Sequence, residues 1–356
     1  MSALETLGWS ARWAERFAPH ATAGCFPARI CVEHKELYRY YAERGEGTAE
    51  VSGRLCHQAR GRGDFPAVGD WVALSQPVAG ERAVIQAVLE RDNKFSRKAP
   101  GKEANEQIIA ANLDTLFLVT SLNRDLNPRR IERYLAATTA IPLVLLLSKS
   151  DLVYNPDQVV AQLRAQMPGM AMHALSARTG AGMEALAPYL GAGRTVAVVG
   201  SSGVGKSTLL NRLLGETRQA VQEIREHDDR GRHTTTRREM IPLPQGGLLI
   251  DNPGMRELQL WDEETDLDHT FADITALAEG CRYSNCSHQH EPGCAVRQAV
   301  ADGTLPGERL DNYFKLEREV AYQERRNDPQ AERELKEKWK KIHRMHNKQS
   351  RRRDRR

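Results

Sequence analysis

Eight residues, Gly200-Ser-Ser-Gly-Val-Gly-Lys-Ser207, constrain this chain more than any other stretch, because they fit G-x-x-x-x-G-K-[ST] and follow directly on the apolar run Thr195-Val-Ala-Val-Val199. Glycines at 200, 203 and 205 let the backbone curl until successive N–H groups face one anion. The helix that follows begins with its positive dipole end at the same point. Strand, loop and helix in that order define a phosphate-binding loop, formed by Gly200, Ser201, Ser202, Gly203, Val204 and Gly205. Lys206 bridges the outer phosphates, Ser207 supplies a hydroxyl ligand to Mg2+, and Thr208 reaches the alpha-phosphate region.

Further apolar runs surround the loop at helical intervals: Asp114–Thr120, Ile141–Leu147, Ala171–Leu175 and Gly247–Ile250. Strands apolar on both faces belong between two helical layers, so a doubly wound parallel sheet is expected. Residues 127–139 have helical composition and provide a crossover.

Three short segments at the carboxyl ends of these runs speak to the base, and that is where open parallel sheets bind ligands. Ser148-Lys149-Ser150-Asp151 resembles N-K-x-D, in which the Asp carboxylate accepts from the guanine N1–H and 2-amino group, donors that adenine lacks. Ser176-Ala177-Arg-Thr-Gly180 resembles S-A-x-x-G, whose backbone amide meets the guanine O6. Asp251-Asn-Pro-Gly254 resembles D-x-x-G, with Asp251 acting on Mg2+ through water and the Gly254 N–H meeting the gamma-phosphate. The base readers at 148 and 176 precede the loop at 200, the reverse of the ordinary GTPase order. A circular permutation accounts for this, since joining the old ends and cutting elsewhere changes connectivity alone. Ser148 stands where Asn is usual. A lost hydrogen bond there is expected to lower nucleotide affinity by about 1 kcal/mol, the short hydroxyl being unable to bond on two sides.

Gly231-Arg-His-Thr-Thr-Thr236, between the loop and Asp251, reads as a first switch. Thr235 is taken as the Mg2+ and gamma-phosphate ligand, with Thr234 and Thr236 offering the same hydroxyl. Met255 and Arg256 follow Gly254 where a water-orienting Gln is usual, and His233 is the candidate for that role through a neutral imidazole.

Cys281-x4-Cys286-x-His288-x5-Cys294 supplies three thiolates and an imidazole within fourteen positions, the donor set of a closed structural zinc site. His290 is a rival to His288, whose closeness to Cys286 suits a tight two-ligand turn. Either Asp266 or Asp268 caps a helix running to about Glu279. Beyond the cluster, residues 295–324 are helix-forming apart from the break at 303–307, and a charged helix follows from Asp328.

Toward the amino terminus, short strand-like stretches (Arg29–Glu33, Trp71–Leu74, Ala83–Val88) are punctuated by glycines, as a small OB-like antiparallel barrel requires. Cys25, Cys31 and Cys56 read as ordinary thiols of that barrel. Arg60-Gly-Arg-Gly-Asp64 reads either as a phosphate-contacting loop or as a plain solvated turn. Residues 97–107 read as a polar connector.

The 356 residues exceed one core, and their 40% hydrophobic and 28% charged content is that of a globular protein. No apolar run approaches the roughly 18 residues of a membrane span. Charged residues among the first seventeen argue against a secretory leader, and six cysteines are too few for a disulfide scaffold. The expected location is the cytoplasm. The net +4 is unevenly placed: residues 331–356 hold twelve Lys/Arg and four Asp/Glu, a local +8 that points to a polyanionic partner.

Taken together, the barrel with Val68-Gly-Asp-Trp-Val72, the permuted motifs, the Gly231–Thr236 switch and the Cys281, Cys286, His288, Cys294 cluster resemble the ribosome small subunit-dependent GTPase A family over nearly the full chain. The resemblance implies an amino-terminal arm (1–28), an OB-fold RNA-binding domain (29–100), a circularly permuted α/β GTPase (105–270), a zinc-binding helical domain (271–330) and a basic tail (331–356). It implies a monomer that binds the small ribosomal subunit and its RNA late in maturation and hydrolyses GTP, with Mg2+ and one structural Zn2+, under stimulation by that subunit. Two rival readings are an RNA-binding scaffold with incidental turnover and a permuted GTPase acting on another RNA.

Overall fold

The computed structural model describes residues 2–34, 37–75, 82–98, 106–122, 126–136, 138, 140–167, 169–201, 203–215, 238–251 and 267–327. Two compact units divide the chain, Met1–Trp261 and Asp262–Arg356. In the first, helices α1 (Ala3–Thr6) and α2 (Ala11–Ala21) precede strands β1 (Cys25–His34), β2 (Leu37–Ala42) and β3 (Gly45–Val51), then α3 (Gly53–Gln58). Strands β4 (Trp71–Ser75), β5 (Ala83–Val88), β6 (Lys94–Lys98), β7 (Glu106–Ala111) and β8 (Thr115–Ser121) follow, then α4 (Pro128–Ala136). The remainder is β9 (Leu143–Ser148), α5 (Pro156–Gln166), β10 (Ala171–Ala174), β11 (Thr195–Gly200), α6 (Lys206–Leu214), β12 (Arg238–Pro242) and β13 (Leu248–Asp251).

Strand order β10-β9-β8-β11-β13-β12 makes the doubly wound sheet, its first five strands parallel and β12 antiparallel to β13. The period of two along these strands sends alternate side chains into two different cores. Leu116, Leu118, Leu145, Leu147, Ala197 and Val199 enter one, together with Ile131 of α4 and Leu163 of α5. Phe117, Val119, Val144, Leu146, Val196 and Val198 enter the other, together with Leu209, Leu210 and Leu213 of α6. Every residue of β8 and β11 is buried, which is why these segments read as unbroken apolar runs.

Strands β1, β2, β3, β5 and β4 close a five-stranded barrel, with β1 pairing β4 and β3 running parallel to β5. Its interior holds Ala28, Ile30, Tyr38, Tyr40, Val72, Leu74 and Ile85. On its outer face Val68, Trp71 and Ala73 join the same core as Leu116 and Leu145 of the sheet. Barrel and sheet are also hydrogen-bonded, through the antiparallel pairing of β1 with β12 at Val32 opposite Glu239 and Glu33 opposite Arg238.

Buried Arg29 sits where arm, barrel and sheet meet. It donates to Gly69 O (3.1 Å), Asn112 O (3.2 Å) and Leu7 O, and lies over the Trp71 ring at 5.4 Å. Desolvation brings its pKa down to about 10, opposed by the fields of Asp114 and Asp70.

Three expectations need correction. Residues 97–107 are not a simple connector: β6 and β7 pair antiparallel there, hidden in the sequence because Lys94-Phe-Ser-Arg-Lys98 carries Phe95 as its one large apolar side chain. The sheet is not wholly parallel. The helix ending near Glu279 is two helices, α7 (Leu267–Thr270) and α8 (Ala272–Ala278), separated at Phe271, and Asp268 falls inside α7 rather than capping it; Asp266 lies outside the described residues.

The second unit adds α9 (Ala295–Ala301) and α10 (Gly307–Asn327), with the break expected at 303–307 between them. Phe271, Ile274, Val296, Leu305, Leu310 and Leu316 form its small core. Arg309 pairs with Asp273 at 2.5 Å and covers the Phe271 ring at 5.0 Å. The charged segment from Asp328 lies outside the described residues, and among the described residues no helix is long and apolar enough to cross a membrane.

Replacing Arg29 with Met keeps the bulk and removes three donors to carbonyls. The urea midpoint is expected to fall by an amount equivalent to about 3–5 kcal/mol, with the folded-state circular dichroism little changed.

Candidate functional site

The carboxyl ends of β8, β9, β10, β11 and β13 converge, and the segments singled out by sequence hang from them. Gly200 ends β11 at φ +145°, where a Cβ would stand 2.2 Å from Val119 O, so the strand can turn into its loop here with glycine alone. Gly205, at φ +98°, then enters α6. Lys206 Nζ folds back over the loop, donating to Gly200 O (2.7 Å) and Ser201 O (2.5 Å). Ser207 and Thr208 occupy the first turn of α6, half-buried. Ser202 lies outside the described residues, as do His233, Thr234, Thr235, Thr236 and Gly254.

The 148–151 segment is stitched to this loop. Ser148 is buried, and its Oγ donates to Val204 O at 2.5 Å and sits 3.2 Å from Thr120 O. Lys149 adopts φ +58° and donates from Nζ to Gly203 O at 2.7 Å. On the side of the neighbouring loops, β9 and the phosphate loop approach closely enough for Ser148 Oγ to lie within reach of two carbonyls. Ser150 N donates to Leu175 O (3.2 Å), tying the segment to the end of β10. Asp151 is exposed on the turn Ser150–Leu152, and its carboxylate meets no hydrogen-bond partner among the described residues. Buried Ser176 folds its own turn, accepting from Gly180 N (2.8 Å) at its carbonyl and from Thr179 N (3.2 Å) at Oγ; Ala177 sits half-buried beside it. Asp251 closes β13 opposite Glu239 of β12.

One contact had no sequence signal. Arg130, on α4, donates from Nη1 to Ser201 Oγ and so braces the loop from a helix seventy-one positions away. Neither residue belongs to a motif that joins them.

In the second unit, ligand atoms of Cys281, Cys286, His288 and Cys294 all lie within 4.8 Å of one another. Cys281 Sγ is 3.6 Å from His288 Nδ1 and 3.9 Å from Cys294 Sγ, and His288 Nδ1 is 3.4 Å from Cys294 Sγ. Bonds of about 2.3 Å to sulfur and 2.0 Å to nitrogen, arranged tetrahedrally, give edges of about 3.5–3.8 Å, so the donors fit a zinc ion. His288, not His290, joins the cluster, from a backbone at φ +59°. Glu291 holds that turn, accepting from Ser287 Oγ (2.6 Å), Ser287 N (3.1 Å), Gln289 N (3.2 Å) and His290 N (3.1 Å). Those bonds, led by the Ser287 hydroxyl, lower its pKa to about 2.

A loop of P-loop pattern on the central strand, bonded to the 148–151 segment that precedes it in the chain, is the layout of a P-loop GTPase with permuted motifs. The family model for the RsgA GTPase matches residues 88–261. "Small ribosomal subunit biogenesis GTPase RsgA" of Opitutus terrae is 48% identical over 352 residues, 96% of each chain. The protein of that name from Methanosarcina acetivorans is 45% identical, covering 88% of this chain and 85% of its own. Among solved structures, YjeQ from Thermotoga maritima superposes with a TM-score of 0.61 at 25% identity, over 83% of this chain and 99% of its own. YloQ, described as a circularly permuted GTPase, shares the fold at a TM-score of 0.58 and 24% identity, over 84% and 96%. This chain belongs to the RsgA GTPase family.

Ser148→Ala removes the hydroxyl beneath two buried carbonyls. The free energy of unfolding is expected to drop by about 1–2 kcal/mol, read from urea denaturation without nucleotide.

Proposed function

We propose that this chain hydrolyses GTP to GDP and phosphate on the small ribosomal subunit and assists the late maturation of that particle, acting as a cytoplasmic monomer independent of membranes. The observation that supports the reading is the bonding of Ser148 Oγ to Val204 O and of Lys149 Nζ to Gly203 O, which ties the proposed guanine reader to the loop proposed to hold the phosphates. The particle is the one for which relatives matched over most of this chain are named.

In this reading Asp151 accepts from the guanine N1–H and 2-amino group, and the backbone at Ser176 and Ala177 meets O6. The amides of residues 200–205 and the Lys206 ammonium hold the phosphates, Ser207 and Thr235 supply metal-binding hydroxyls, and Asp251 and Gly254 act at the gamma-phosphate end. When bound, Mg2+ neutralises charge shared by the beta and gamma oxygens. His233 orients a water and takes its proton as the water oxygen bonds to the gamma phosphorus. The bond from that phosphorus to the bridging oxygen breaks, and its electron pair leaves on GDP. Residues 29–100 serve as the OB-fold RNA-binding domain and 105–270 as the GTPase. Residues 1–28 form an arm, 271–330 a domain held by one zinc ion on Cys281, Cys286, His288 and Cys294, and 331–356 a basic tail for ribosomal RNA.

Phosphate release from GTP is expected to rise several-fold when purified small subunits are added, with ATP inert in both conditions; equal rates with and without subunits sink the subunit reading. Asp151→Asn exchanges an acceptor for a donor and shifts preference from guanine to xanthine nucleotides, as competition binding will report. His233→Ala lowers subunit-stimulated turnover about 10²–10⁴-fold while nucleotide affinity holds. Metal analysis of the purified chain returns one zinc per chain, and Cys286→Ser releases it to a chromogenic chelator at lower chelator concentration.

A further inference from the structure

We infer that α3 and the turn after it present Arg54, Arg60 and Arg62 as a landing surface for the phosphate backbone of folded RNA. This deepens the small-subunit reading and rests on it.

Several other arginines in and beside the barrel are committed to partners, while Arg44 of the β2–β3 turn is exposed without one among the described residues. Arg12 and Arg16 pair with Asp92, Arg39 with Glu46, Arg82 with Glu50, and Arg91 with Asp70. Arg54, Arg60 and Arg62, within nine residues, are exposed, and among the described residues their guanidiniums make no hydrogen bond or ion pair. Exposed His57 lies in the same stretch. Arg62 acts on Glu33 through its field alone. Like charges gathered on one short stretch repel one another, so the arrangement suits an anion that is not part of this fold.

The backbone beneath them is fixed. Asp64 Oδ2 accepts from Arg60 N at 2.7 Å, and Arg91, held by buried Asp70, donates to Gly63 O (2.7 Å) and Phe65 O (2.8 Å). A turn tied at both ends and carrying two unpaired forks, with a third on α3, offers guanidiniums that bind phosphate oxygens bidentately. The neighbouring cleft of about 720 Å³ narrows the choice of occupant. Arg54 borders it, but so do the carboxylates of Asp64 and Glu90, and no Phe, Tyr or Trp lines it. With Arg54 and Arg91 set against those two carboxylates, its lining carries no excess positive charge to draw phosphate inward, and it offers no large ring for an unstacked base. Contact therefore falls on the rim and on the RNA backbone rather than on bases.

The test uses the full chain and two probes, purified small subunits and the protein-free RNA of that subunit, with binding measured from about 50 to 200 mM salt. The triple variant R54A/R60A/R62A is expected to bind both about tenfold more weakly or worse, with the slope of log K against log salt reduced by about 2–3. R54K/R60K/R62K keeps the slope, and R39A/R82A/R194A, which removes three paired arginines (Arg194 pairs with Asp114 at 3.1 Å), leaves it unchanged. Subunit-free GTP turnover is the same in all. An unaltered slope on protein-free RNA in the alanine triple overturns the proposal, and loss of binding to subunits alone assigns the surface to a protein instead. If the unaltered chain binds neither probe, the small-subunit reading fails first; if it binds both and the alanine triple matches it, the landing surface alone fails.

Discussion

Burial of the central strands on both faces is the constraint from which the rest of the first unit follows. Strands β8, β9 and β11 alternate their side chains between two apolar cores, so none can slip by one residue without exchanging those cores. That register places Gly200 beside Val119 and Ser148 beside Ser121, and hence the phosphate loop against the end of β9. The nucleotide site inherits its geometry from hydrophobic packing below it.

Chain order matters less than strand order. The phosphate loop and the 148–151 segment meet through Ser148 Oγ and Lys149 Nζ although the usual order of the motifs is reversed. Side-chain-to-carbonyl bonds of this kind depend on where strands end, and a permutation leaves strand ends in place. A second consequence concerns the edge of the sheet. Strand β12, which begins directly after residues 216–237, pairs with β1 of the barrel, and Arg238 at its start meets both Glu33 (3.4 Å) and Ile108 O (2.8 Å). The barrel is thus joined by a ladder and by a half-buried ion pair to the strand that follows the proposed first switch in the chain.

The two units solve stability differently. The first shares one large core between barrel and sheet and secures the junction with the buried Arg29 fork. The second has, among its described residues, a core of eight buried side chains that includes Cys294, and gathers three thiols and an imidazole at its margin, where four donors in tetrahedral reach complement the small apolar area.

What the sequence by itself determined was whatever is local: the phosphate loop, the apolar runs that became β8, β9, β11 and β13, the break between α9 and α10, and the donor set of the Cys/His cluster. Each is a short pattern whose meaning lies in its own residues. Tertiary structure alone decided the rest. Strand β6 shows no apolar run because its residues are mostly charged, and β12 shows none because Met240 is its one buried residue. Neither the brace of Arg130 on Ser201, nor the reach of Ser148 to two carbonyls, nor the choice of His288 over His290 is written in any window of the chain. All three are distances between segments set by packing, and packing is a property of the whole fold.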